Sequence, residues 1–196
     1  MGLTTSESAA LPVALAELKA FLRVSVSDED ALLAAQVRAA TALCEAFTGR
    51  LLIEREVQEI VPASRRWIRL GAVPVRTIES VAMLDEAGAA TLLEADAFAA
   101  EIDTGGEGRV RLAGEAAGGR LLVTCQAGMA ADWNGVPEML RHGIVRLAAQ
   151  YYLQRGEAAD GAPPAAVTAL WRPWRRLSLG GVTRAPNQDQ SDVRAI

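Results

Sequence analysis

The sequence predicts an α+β fold: a helical core of two N-terminal helices and a long third helix, with an inserted small antiparallel β unit and an extended C-terminal tail. Three observations predict it. Apolar residues recur at steps of three and four up to Gly49, the period falls to two between 50 and 131 in short runs split by turn residues, and helical spacing returns at Pro137. Beyond Leu179 periodicity ends.

Residues 1–10 are small and polar without a period and read as a loose arm. Leu15, Leu18, Phe21 and Leu22 then mark a first helix over 11–22, with Pro12 tolerated near its start. The short link VSVSD leads into the stretch around which the chain is organised, a long helix over 27–49. Ser27 and Asp30 have the spacing of a capping box, and Asp28, Glu29 and Asp30 set negative charge at the positive end of the helix dipole. Leu33, Val37, Ala40, Cys44 and Phe47 form the apolar stripe, and Gly49 suits a left-handed C-terminal cap. The opposite face, mostly alanine with Gln36, Arg38 and Thr41, is too small and weakly charged for a fully solvated surface. A second helix or a neighbouring subunit would cover it.

Between 50 and 131, alternating runs at 53–60, 67–70, 78–84, 97–102, 109–112 and 121–126 predict five or six antiparallel strands. No crossover long enough for a parallel sheet separates them, which excludes doubly wound nucleotide-binding folds. A third core helix follows within 132–156, with Leu140, Ile144, Leu147, Ala148, Tyr151 and Tyr152 on one side and Gly156 as its end. It is expected to return onto the N-terminal helix pair of 11–49. The segment 157–176 holds a hinge and the Trp/Arg-rich stretch AAVTALWRPWRR, a helix turn broken at Pro173, and 177–196 is an extended tail.

Size and charge narrow the function. The 196 residues suffice for one substantial core, and a net charge of -4 argues against a dedicated nucleic-acid binder. Neither a bilayer-spanning run nor a secretory signal is apparent, so a protein without membrane association, cytoplasmic when made, is expected. Cys44 and Cys125 suit a reducing compartment and read as core residues rather than a redox pair.

Catalytic groupings do not emerge. His142 is the only histidine, stands mid-helix and has no nucleophile turn to serve. One histidine and two distant cysteines cannot complete a zinc site, and a helix N-terminus explains the acidic run 28–30, so no metal, cofactor or catalytic residue is assigned. Gly105-Gly106 and Gly118-Gly119 lack the lysine and the helix start of a phosphate loop and read as hairpin turns. One patch remains. Trp171, Arg172, Trp174, Arg175 and Arg176 combine the residue types that dominate interfaces. Alternatively the tryptophans fold back onto the third helix, and a mixture with one tryptophan buried also fits. Arginine on phosphate with tryptophan under a base would be the nucleic-acid version.

Three segments together resemble a known family. LAELKAFLRVSVSDEDALLAAQVRAATALCEAFTGRLL, VPEMLRHGIVRLAAQYYLQRG and LWRPWRR, in this order, resemble the head-tail connector (adaptor) proteins of tailed phages, with relatives in prophages and gene transfer agents. The resemblance covers about half the chain and none of its motifs is catalytic. It implies a structural protein of the virion neck, not an enzyme: a ring, twelve-fold to match the portal, that joins capsid to tail and contacts the portal protein and a stopper or tail-completion protein. Packaged double-stranded DNA would pass through without sequence-specific contact. On that reading Trp171, Arg172, Trp174, Arg175, Arg176, Leu177, Leu179, Val182, Arg184 and Ile196 would dock on the portal. Gln36, Arg38, Thr41 and Glu45 would meet a neighbouring subunit, and Glu54, Glu56 and Glu59 would line the channel. The rival reading is a nucleic-acid-binding packaging accessory that uses the Trp/Arg patch.

Overall fold

The computed structural model describes residues 3–5, 11–114, 118–154 and 163–176. Strand β1 (Leu3–Thr5) is followed by helices α1 (Leu11–Leu22) and α2 (Asp30–Thr48), then by β2 (Arg55–Pro62), β3 (Ile68–Arg69), β4 (Val75–Leu84), β5 (Ala90–Leu92), β6 (Phe98–Ile102), β7 (Gly108–Leu112) and β8 (Arg120–Ala127). Helices α3 (Glu138–Leu153) and α4 (Ala165–Trp171) close the described chain, the last running into a 3-10 turn at Arg172–Trp174. Gly156, most of the expected hinge and the whole tail 177–196 lie outside the described residues.

Helix α2 buries Leu33, Val37, Ala40, Cys44 and Thr48, with Phe47 half-buried at the edge of the stripe. Gly49 ends it at φ 67°, and its N–H bonds to the Glu45 carbonyl at 2.8 Å. The start differs from expectation. No side chain caps the helix. Asp30 turns instead to Lys19 of α1, 2.6 Å from the ammonium group, because a charge-assisted bond outweighs one to a neutral N–H. Glu29 accepts a hydrogen bond from the Tyr152 hydroxyl of α3, so the acidic run links three helices. On α1, Ala14 and Leu18 are innermost, whereas Phe21 is 51% exposed rather than packed with them.

Leu18, Leu33, Ala40, Leu140, Ile144 and Leu147 share one apolar cluster with Val167 and Trp171 of α4. Trp171 is the largest fully buried side chain. Its indole lies against Gly143 of α3, where an added Cβ would fall 2.2 Å from Nε1, and that N–H points at the Leu140 carbonyl 3.4 Å away. Only a residue without a side chain leaves room for the ring.

The strands form a five-stranded sheet in the order β1-β2-β8-β4-β5 and a three-stranded sheet in the order β3-β7-β6. All pairings between these strands are antiparallel. Seven strands between 50 and 131 exceed the five or six expected, because β5, with three residues, is too short to show a period. Within the arm, Leu3–Thr5 pairs with β2 and is a strand, not a loose end. Inward residues of both sheets, among them Val57, Val81, Val110, Leu112 and Val123, meet in a second apolar cluster.

One polar junction joins the two clusters. The Glu45 carboxylate takes the Leu52 N–H at 2.8 Å and grips the Arg55 guanidinium through both oxygens at 3.0 and 2.8 Å. Neither side chain exceeds 16% exposure, so Glu45 ties α2 to β2 and is not free to meet a neighbouring subunit.

Replacing Gly143 by alanine should raise helix propensity yet destabilise the protein by about 1–3 kcal/mol through overpacking against Trp171. Chemical denaturation measures the effect, and a stabilised variant would contradict this packing.

Candidate interaction surfaces

The Trp/Arg segment is divided by its packing. Pro164 precedes α4, and Thr168 closes the first turn through its N–H to the Pro164 carbonyl at 2.9 Å and its hydroxyl to Pro163 at 3.2 Å. Trp171 then enters the core and is no surface contact, which corrects its assignment to the portal. Its ring also meets Phe47, with centroids 5.9 Å apart. The 3-10 turn brings Trp174 half-buried onto the helical cluster, with its carbonyl 3.2 Å from Arg50 Nε.

Arg175 is exposed, its guanidinium 5.6 Å from the Phe47 ring centre. Arg176 donates its N–H to the Thr48 carbonyl at 2.8 Å, and its guanidinium reaches Glu107, in the β6–β7 turn, at 2.9 and 3.1 Å. With 18% of its side chain exposed, Arg176 is a tether before it is a docking group. Arg172 and Arg175 therefore remain the exposed cations of the patch. Leu177, Leu179, Val182, Arg184 and Ile196 lie outside the described residues.

The expected channel carboxylates separate by strand parity. Glu54 and Glu56 are exposed. Glu59 is only 1% exposed, and its carboxylate accepts the Gly71 N–H at 2.7 and 2.9 Å and the Ala72 N–H at 3.3 Å. It cannot line a channel, because it holds the loop between β3 and β4 against the sheet. Of the residues expected at a subunit contact, Arg38 is exposed and Gln36 and Thr41 are half-buried along α2.

Cys44 and Cys125 are buried and unpaired. Burial, then the Glu59 and Glu79 charges, push the Cys125 thiol up to about 11, and burial raises Cys44 further, helped by neighbouring Glu45. His142 is exposed on α3 and lines a groove with Glu17, Phe21, Glu138, Arg141 and Val145. Among the described residues no three His, Cys, Asp or Glu side chains form a metal-binding group.

The strands also carry a feature that the reading of the sequence missed. Arg111 stacks 4.7 Å over Trp67, and Arg69 stands opposite Arg109 across the β3–β7 pair. The signal was present in RRWIRL and RVRL, where Trp67 alternates with Arg69 and Arg109 with Arg111.

No protein-family model matches the chain, and no curated protein does. Solved structures do. The neck of an empty gene transfer agent (GTA) particle computed with C6 symmetry contains a chain 31% identical to this one, with TM-score 0.75, and the match covers 93% of this chain and 99% of that one. Chains in the virion of a native GTA particle and in the neck of a native GTA particle computed with C12 symmetry match at the same identity and coverage, with TM-scores of 0.74 and 0.73. This chain belongs to the family of GTA neck proteins. Because the similarity spans nearly the full length of both chains, the helical part and the β unit of the neck protein belong to one shared architecture.

Glu59→Ala should cost the neck protein about 1–3 kcal/mol by leaving buried N–H groups unpaired. Glu56→Ala should stay within about 0.5 kcal/mol. Thermal or denaturant unfolding of the pair checks this, and equal effects would contradict the burial of Glu59. Both thiols should resist a thiol reagent at pH 8 in the native protein and react at once in denaturant; fast native labelling would contradict their burial.

Proposed function

We propose that this neck protein is the head-tail adaptor of a tailed phage or gene transfer agent: a structural ring under the portal that joins capsid to tail and forms part of the DNA channel. The observation that carries the reading is the full-length similarity to chains from GTA neck structures, two of them computed with C6 or C12 symmetry. A twelve-fold ring suits that symmetry. Its partners are further copies of itself, the portal protein and a stopper or tail-completion protein, and packaged DNA passes through without sequence-specific contact.

In this scheme Trp171 is the anchor rather than the docking group. It holds α4 on the helical cluster, while Arg172, Arg175 and the segment after Arg176 engage the portal. Leu177, Leu179, Val182 and Ile196 supply apolar groups for a wrapped contact, and Arg184 a charge. Arg38, Gln36 and Thr41 on α2 face a neighbouring copy, and Glu54 repels passing DNA. The nucleic-acid accessory reading loses support, since Trp171 cannot stack on a base and Arg176 is already paired with a carboxylate.

Deleting 177–196 should abolish binding to the portal while the melting temperature moves by no more than a few degrees, because both apolar clusters are built from residues before it. Co-sedimentation with portal and a thermal melt measure the two quantities. Portal binding that survives the deletion would overturn the docking assignment.

A further inference from the structure

The two sheets of the β unit share an apolar interior, so alternation sends their remaining side chains out on opposite sides. On the larger sheet the outward groups at the end nearest the helices are acidic. Glu56 stands opposite Gln126, whose amide donates to Glu79 at 2.9 Å, and Glu54 lies one strand period before Glu56. All three glutamates are exposed and none forms an ion pair among the described residues.

Beside them an apolar row crosses four strands in register: Ile60 opposite Leu122, Leu122 opposite Ala82, and Ala82 opposite Leu92. This row belongs to neither apolar cluster, and Leu92 is 71% exposed. Two arginines border the face. Arg76 is held by the carbonyls of Gly128 and Met129, and Arg120 stands at the far end opposite Pro62 and Leu84.

The smaller sheet is the reverse. Arg69 and Arg109 face outward as a cross-strand pair, Arg111 covers Trp67, and Arg65 and Arg66 are exposed just before β3. Glu107 and Asp103 lie 3.6 and 3.8 Å from Arg69 and Arg109, and Glu101 stands opposite Arg109. Arg65, Arg66 and Arg111 keep no ion pair among the described residues.

We propose that these faces bind each other in successive copies, the Arg/Trp face of one subunit on the Glu/Leu face of the next. The proposal rests on the ring reading above and names its contact. A two-fold dimer through either face would set like charge on like, whereas joining unlike faces makes a head-to-tail contact of the kind that closes into rings. Trp67 meets the apolar row while Arg66 and Arg111 meet Glu56 and Glu79. A DNA backbone is the poorer occupant of the basic face, because Glu101, Asp103 and Glu107 interleave with its arginines and would meet phosphate.

Sedimentation of the full-length protein at low salt tests the pairing. Wild type should associate in a concentration-dependent, salt-sensitive manner. Arg66→Glu/Arg111→Glu and Glu56→Arg/Glu79→Arg, all at exposed positions, should each weaken association by about tenfold or more. An equimolar mixture of the two variants should restore it, because reversed faces complement one another. A monomeric wild type, unchanged variants or a mixture that fails to recover would overturn the proposal. DNA binding by wild type that disappears in the arginine variant would also overturn it, by giving that face to nucleic acid. The ring reading is judged separately: particles that carry the protein at the neck although both variants associate normally would keep that reading and discard this contact.

Discussion

The indole of Trp171 in the notch above Gly143 fixes the end of the described chain. Helix α4 has seven residues, too few to be stable alone. It exists because one large ring is buried against α3 and Phe47, at the cost of a glycine inside a helix. From there the backbone has one course: through the turn at Pro173, past Arg50, and into the seam where Arg176 bonds to both the end of α2 and the β6–β7 turn. The segment after Arg176 thus starts from a defined point where helices and sheets meet.

That seam is rigid because carboxylates are used internally. Glu45 grips Arg55 and Leu52, Glu59 holds the loop before β4, and Glu107 receives both Arg69 and Arg176. A removed partner would leave a buried charge or N–H uncompensated, so such bonds set geometry more firmly than they add net stability. A unit held this way moves as one piece.

The elements that a short periodic pattern determines were legible. Helix α2 has its stripe and its glycine stop where the spacing put them, and Gly105-Gly106 turns β6 into β7 as expected, whereas Gly118-Gly119 is no hairpin turn because β7 and β8 lie in different sheets. Contacts that pair distant residues were not. Asp30 looked like half of a capping box because Ser27 is near in sequence, yet its carboxylate bonds to the charged Lys19 of α1. Strand parity could have separated Glu59 from Glu54 and Glu56, since it shares a face with Val57 and Val61. The fate of Trp171 was open between surface and core because the gap at Gly143 belongs to another helix. The arginines on β3 and β7 went unnoticed because two short strands come together only in the folded sheet.

Electron cryo-microscopy of the protein assembled with its portal tests the central claim most directly. The expected result is a closed ring beneath the portal, with density for 177–196 running from the Arg176 seam onto the portal surface. A protein found elsewhere in the particle, or a ring whose final residues contact nothing above it, would contradict that claim.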